Sequence, residues 1–225
     1  MMEKAKKQYR SIAFDLDGTL TDPANGLIQG FVYAFKKLGL DYSDREALRK
    51  YIGPSLFKEW QVDFGFTPDE ANNAIEIFRE YYNIYGWWDN KIYGGVREML
   101  EELKASGKVI LLATSKPLDT AKKILELFDL TKYFDFIGGA DSIELDQKWK
   151  VLEHALTSVN IPKGSPKREE CILVGDRCFD SEGAKICSID CLGVSYGHGT
   201  LEELRESDFT YICHTPKEVT ELLLQ

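Results

Sequence analysis

The chain has 225 residues, 44% of them hydrophobic, and a formal net charge of −9 at pH 7. That length and apolar content suit one α/β domain carrying a sizeable insertion. The acidic balance argues against a nucleic-acid backbone as principal partner, and no apolar run approaches the roughly 18 residues expected of a membrane helix.

The basic stretch Met1–Arg10 is followed only by a short apolar run, so it does not read as a secretion signal. The five cysteines (Cys171, Cys178, Cys187, Cys191, Cys213) all fall in the last quarter and read as reduced thiols of a cytoplasmic protein. There is no Cys-x-x-Cys pair, and His198 and His214 lack ligand spacing, which argues against zinc.

Ser11-Ile-Ala-Phe14 is a short apolar strand that runs into Asp15 and a Gly-Thr turn. From about Asn25 to Tyr85 the pattern is helical, with Leu27, Phe31, Ala34, Phe35 and Leu38 recurring near helical spacing. Gly39, Gly53-Pro54 and the stretch from Gly65 to Pro68 divide it into roughly four helices, and nothing in it reads as a strand. Past Tyr93-Gly94-Gly95 helices and strands alternate. The expected order is helix Val96–Ala105, strand Lys108–Ala113, helix Leu118–Phe128, strand Phe134–Ile137 and helix Gln147–Val159. It continues with strand Cys171–Val174, helix Ser181–Ile186, strand Cys191–Val194 and a last strand near Thr210–Cys213. Such alternation predicts a parallel sheet covered by helices on both faces, with ligands bound beyond the carboxyl ends of its strands.

Four sites at those ends carry candidate chemistry. Asp15 and Asp17, in Asp15-Leu-Asp-Gly-Thr-Leu-Thr21, are two carboxylates separated by one residue at a steep turn. One can attack phosphorus and form an aspartyl-phosphate; the other can protonate the leaving oxygen and then activate water. Thr114-Ser115-Lys116-Pro117 offers a hydroxyl and a backbone N–H to a phosphoryl oxygen, although a plain helix cap explains it equally well locally. Lys148 is a point charge for nucleophile and phosphate; Lys150, two residues on, faces elsewhere on a helix. Asp176 and Asp180, in Gly175-Asp-Arg-Cys-Phe-Asp180, suit a magnesium site. Any one of these could be a capped or acidic helix start; their order and common placement carry the argument.

In that order the chain resembles the haloacid-dehalogenase (HAD) superfamily over essentially its full length. The resemblance implies an α/β fold, a Rossmann-like core with a parallel sheet between helices (residues 1–22 and 91–225). An all-helical C1 cap that governs substrate specificity is then inserted after the first strand (residues 23–90). It implies that Asp15 is the nucleophile and Asp17 the general acid/base, and that Thr114 and Lys148 bind phosphate. Asp15, Asp176 and the Asp17 backbone carbonyl would hold Mg2+, with Asp180 supporting through water. The closest branch is phosphoglycolate phosphatase-like, which includes members described as 5′-nucleotidases. Its marks are Ile52-Gly53-Pro54, Phe78-Arg79-Glu80-Tyr81-Tyr82, Thr114-Ser115-Lys116-Pro117 and Gly193-Val-Ser-Tyr-Gly-His-Gly199. Leu145 stands where family members often carry an arginine upstream of the lysine.

The expected activity is Mg2+-dependent hydrolysis of a small phosphorylated metabolite. The alternatives are a phosphomutase of the β-phosphoglucomutase type and a non-catalytic phosphate-binding scaffold. Candidates for choosing the substrate are Arg49, Arg79, Lys116 and the Gly53-Pro54-Ser55 loop, the arginines being equally well explained as surface charges. Trp87 and Trp88 are expected to pack where the cap returns to the core, and Cys178 to be an inert thiol. Oligomeric state is left open.

Overall fold

The computed structural model describes residues 7–40, 44–53, 56–140 and 147–225; Pro54, Ser55 and Leu145 lie outside them. The first strand, β1 (Ser11–Phe14), is followed by a two-residue strand, β2 (Thr21–Asp22), and by α1 (Ala24–Leu38). A 3-10 turn at Glu46–Tyr51, α2 (Leu56–Phe64), α3 (Pro68–Tyr81) and a π-helical turn at Tyr82–Gly86 complete a helical insertion. The chain returns through β3 (Lys91–Ile92). There follow α4 (Val96–Ala105), β4 (Val109–Pro117), α5 (Leu118–Leu127), β5 (Phe136–Ala140) and α6 (Lys148–Ser158). The last elements are β6 (Cys171–Gly175), α7 (Cys178–Ile186), β7 (Asp190–Val194), α8 (Leu201–Glu206), β8 (Tyr211–Cys213) and α9 (Pro216–Leu223).

A six-stranded sheet has the order β5-β4-β1-β6-β7-β8, every neighbouring pair parallel. β1 lies inside it, with Ser11–Phe14 aligned to Val109–Leu112 on one side and Cys171–Val174 on the other. Both faces of this strand are buried. Ile12 and Phe14 join a cluster with Leu100, Leu103, Ile124 and Val219, while Ala13 joins Leu152, Leu156 and Leu173. A strand covered on both sides needs apolar residues at successive positions, so it reads as a continuous run instead of an alternating one. This is the mostly parallel, helix-flanked sheet that the alternating pattern predicts.

The insertion has an apolar core of its own. The ring of Phe31 lies 5.3 Å from those of Tyr51 and Phe78 and 5.7 Å from that of Trp60. α3 starts at a capping box: Thr67 Oγ1 accepts from Glu70 N at 3.4 Å, and the Glu70 carboxylate accepts from Thr67 N at 2.8 Å, with Pro68 in the first turn. At the return crossing Trp87 packs against both the insertion and the sheet-side core. Trp88 differs from expectation: it is exposed and donates its Nε1 to Ile84 O at 3.2 Å.

Other differences are local. β2 and β3 pair antiparallel, Thr21 with Ile92 and Asp22 with Lys91, clasping the two crossings together; strands of two residues are too short to show a period. β5 runs Phe136–Ala140 instead of Phe134–Ile137: its pairing with β4 begins with Leu111 opposite Phe136 and continues through Gly138 and Gly139 opposite Ala113 and Thr114. α8 and α9 follow the N-caps Thr200 and Thr215, where the sequence reading places no helix. No helix among the described residues is long and apolar enough to cross a membrane.

Trp60 is fully buried among Phe31, Phe35, Phe64 and Phe66. Trp60→Ala is expected to cost roughly 3–5 kcal/mol, read by urea denaturation, with the loss falling on the insertion before the sheet.

Candidate active site

Asp15 follows the last residue of β1 and stays tied to the sheet, its N–H donating to Val174 O at 2.9 Å. The chain then turns back on itself: Gly18 N donates to Thr21 O at 2.7 Å and Leu20 N to Leu16 O at 2.9 Å. Gly18 has φ of +85°, and a Cβ there would lie 2.1 Å from Asp176 Oδ2. Only glycine satisfies both the backbone angle and the close approach of that carboxylate.

Asp176 follows β6 and is fully buried. Its Oδ2 accepts from His198 N at 2.7 Å and its Oδ1 from Thr19 Oγ1 at 3.3 Å. Asp180 lies in the first turn of α7, where Oδ2 accepts from Arg177 N at 3.1 Å. One oxygen from each of Asp15, Asp176 and Asp180 falls within 4.8 Å of the others. Lys148, the first residue of α6, reaches back into this cluster. Its Nζ is 2.7 Å from Asp15 Oδ1, 2.7 Å from Asp180 Oδ1 and 3.0 Å from Ala113 O. A cation at a helix N-terminus opposes the helix dipole; the two carboxylates compensate it. Lys150 lies over the ring of Trp149 instead, 5.9 Å from its centroid.

The electrostatics follow from crowding. Burial, then the charges of Asp180 and Asp15, push the Asp176 carboxyl well above its usual range. Asp180 is raised too, first by burial, with Lys148 offsetting only part of it. Burial works against a charged Lys148, but Asp15 and Asp180 outweigh it and hold the ammonium above its ordinary value. Asp17 is raised by burial, opposed by Lys116, whose Nζ is 2.5 Å from Asp17 Oδ2. Asp17 Oδ1 is buried and has no hydrogen-bond partner among the described residues. Three converging carboxylates, with only neutral hydrogen-bond donors on Asp176, fit a hard divalent cation. HAD enzymes generally use a metal ion.

The other expected residues separate into groups. Thr114 is buried within β4, three residues before its end, its Oγ1 accepting from Lys116 N at 3.2 Å; Ser115 beside it is partly buried. Lys116 is brought in through Asp17 and packs 5.1 Å from the ring centroid of Tyr82, a buried residue of the insertion. Gly53 meets the core at Arg177. Arg49 pairs with Glu46 at 2.6 Å at the surface of the insertion; Asp22 is held low first by its hydrogen bond with His198. Arg79 is not brought to the cluster; it pairs with Glu76 at 2.7 Å on the exposed side of α3. Cys178 is a half-buried thiol pushed up to about 11, by burial and then by Glu203, so it is no ready nucleophile.

Sequence reasoning does not pick out Thr19 or His198 as supports of Asp176, nor Tyr82 beside Lys116. Thr19 lies inside the first motif and His198 inside the glycine-flanked 193–199 stretch, which were the available signals. Tyr82 closes the quoted stretch Phe78-Arg79-Glu80-Tyr81-Tyr82, which gives no hint that its ring meets Lys116.

Because the folded state raises the Asp176 pKa, its ionisation opposes folding: stability present below the ordinary carboxylate pKa is lost as pH rises through the raised one. Asp176→Asn is therefore expected to raise the metal-free melting temperature at pH 7.5 by about 2–4 °C per kcal/mol relieved. The gain should disappear near pH 4, as measured by scanning calorimetry.

The chain matches the haloacid dehalogenase-like hydrolase family over residues 12–194. It is 35% identical over 216 residues to a 5′-nucleotidase of Pseudomonas aeruginosa, covering 94% of each chain. It is 28% identical to a phosphoglycolate phosphatase of Vibrio parahaemolyticus, covering 97% of each. The tyrosine-protein kinase PtkA of Mycobacterium tuberculosis is 32% identical over 90% of this chain and 68% of its own. Among solved structures, a predicted phosphatase from Clostridium acetobutylicum superposes with a TM-score of 0.89 at 35% identity, covering 96% of this chain and 99% of that one.

Proposed function

The chain belongs to the haloacid dehalogenase-like hydrolase family and is a phosphatase of that kind, and on that premise we propose Mg2+-dependent hydrolysis of a small phosphomonoester through a phosphoaspartate on Asp15. The observation that carries this reading is the convergence of Asp15, Asp176 and Asp180, with Lys148 bridging two of them.

In this reading Asp15, Asp176 and the Asp17 backbone hold Mg2+, with Asp180 supporting through water. When bound, the ion supplies positive charge that offsets repulsion between an anionic phosphoester and a carboxylate nucleophile. Lys148 aligns Asp15 through their ion pair, and its positive charge offsets the negative charge of the incoming phosphoryl group. Thr114 and Ser115, in the last part of β4 that leads into α5, hold the other phosphoryl oxygens. An Asp15 oxygen attacks phosphorus as the ester P–O bond breaks. The departing alkoxide takes the proton of Asp17, whose burial favours the protonated form needed at that moment. Water then loses a proton to Asp17 and attacks phosphorus, breaking the Asp15–phosphate bond and releasing inorganic phosphate.

We assign substrate choice to the insertion, residues 23–90, which closes over the site and excludes water during transfer. The 5′-nucleotidase and phosphoglycolate phosphatase relatives support a nucleoside monophosphate or a phosphoglycolate-like ester as the substrate. Five free cysteines support a cytoplasmic setting.

Phosphate release from p-nitrophenyl phosphate, phosphoglycolate and nucleoside monophosphates, with and without Mg2+, tests the reading. Asp15→Asn is expected to abolish turnover with an unchanged circular dichroism spectrum, and Asp17→Asn to slow it by roughly 10²–10⁴-fold. Chelation should stop turnover reversibly. Undiminished release by Asp15→Asn would sink the proposal.

A further inference from the structure

Arg177 follows Asp176 directly, yet its side chain turns away from the carboxylates. Its Nε lies 2.9 Å from Glu203 Oε1, and its Nη1 donates to the carbonyls of Ile52 at 2.5 Å and Lys50 at 3.4 Å. Those carbonyls close the 3-10 turn Glu46–Tyr51 of the insertion. Glu203, from α8, also accepts from Cys178 N at 2.9 Å, so both partners of the ion pair are fastened to the loop that carries Asp176. The arginine side chain is only 12% exposed, which separates this pair from a solvated surface bridge. Gly53, with φ of +105°, completes the contact: a Cβ there would lie 3.2 Å from Arg177 Cγ.

Carbonyls at the end of a helical turn carry partial negative charge and lack internal donors. A guanidinium can satisfy them along one edge while a carboxylate holds another. Because the bonds go to main chain, they fix where the turn lies without demanding particular side chains on it, apart from the missing one at Gly53.

We propose that Arg177, braced by Glu203, is a positioning residue that holds the Lys50–Gly53 end of the insertion over the carboxylate cluster. One short segment thus supplies a cluster acid through Asp176 and the hold on the covering element through Arg177. The inference rests on the reading of this chain as a phosphatase whose insertion covers the site. It adds the residue that ties that cover to the metal-binding loop.

The test uses the full chain with Arg177→Met, which keeps length and loses the donors, together with Arg177→Lys and Glu203→Gln. In hydrogen exchange, residues 46–53 of Arg177→Met should exchange about fivefold faster, with α9 unchanged. Losing the held state reduces the binding-competent population. KM for p-nitrophenyl phosphate with Mg2+ should therefore rise about tenfold while kcat stays within about twofold. Arg177→Lys should recover part of both effects, and Glu203→Gln should show a weaker form of both. Unchanged exchange over 46–53 overturns the proposal. So does a loss confined to kcat with a raised Mg2+ requirement, which would make Arg177 a support of Asp176 alone. If the unmodified protein releases phosphate from no ester, the phosphatase reading fails, and the exchange measurement alone still decides the role of Arg177.

Discussion

Four carboxylates and two ammonium groups share a space from which water is largely excluded, and that crowding governs the molecule. Lys148 balances Asp15 and Asp180, and Lys116 balances Asp17; Asp176 is left with neutral donors from His198 and Thr19. Breaking a buried pair by removing one partner costs roughly 3–5 kcal/mol because the survivor stays uncompensated. The arrangement therefore persists only while every element presenting a charge is held in place. The parallel sheet does that holding, since β1, β4 and β6 are adjacent and end at the same edge.

The two apolar cores divide the work. The sheet-side clusters fix Asp15, Thr114 and Asp176 on strands that are buried on both faces. The aromatic rings of the insertion pack mainly on each other, which gives it an apolar core of its own. Among the described residues, the features that join the two sides include the β2–β3 clasp, Trp87, and the Lys116–Tyr82 and Arg177–Ile52 contacts. A joint made of short strands and a few polar contacts is drawn from the low-stability end of a fold.

Much of this was legible in the sequence where local chemistry and long-range role coincide. Asp15, Asp17, Lys148, Asp176 and Asp180 each fall at a strand end or helix start, and the structure brings those five positions together. Their roles in catalysis are a separate matter, argued from chemistry. Less legible were features with no period or with a contact made across the chain. β2 and β3 are too short to alternate, and Tyr82 looks like any aromatic on a helix until it is seen over Lys116. Arg79 and Arg49 look alike in sequence and behave alike, each pairing with a glutamate three residues earlier at the surface. α8 and α9 could have been found, since Thr200-x-x-Glu203 and Thr215-x-x-Glu218 are ordinary helix-start signals.

The position of β1 also bears on how the protein is made. Ser11–Phe14 emerges early, but the strands that flank it, Val109–Leu112 and Cys171–Val174, are synthesised much later. Until then this apolar strand has neither neighbour, whereas the insertion's aromatic residues, from Phe31 to Tyr82, can collapse on one another as soon as they appear. Pairings so distant along the chain form slowly and leave sheet edges open meanwhile. During synthesis, then, the part nearest completion is the helical insertion, and the strand that presents Asp15 waits for its last partner.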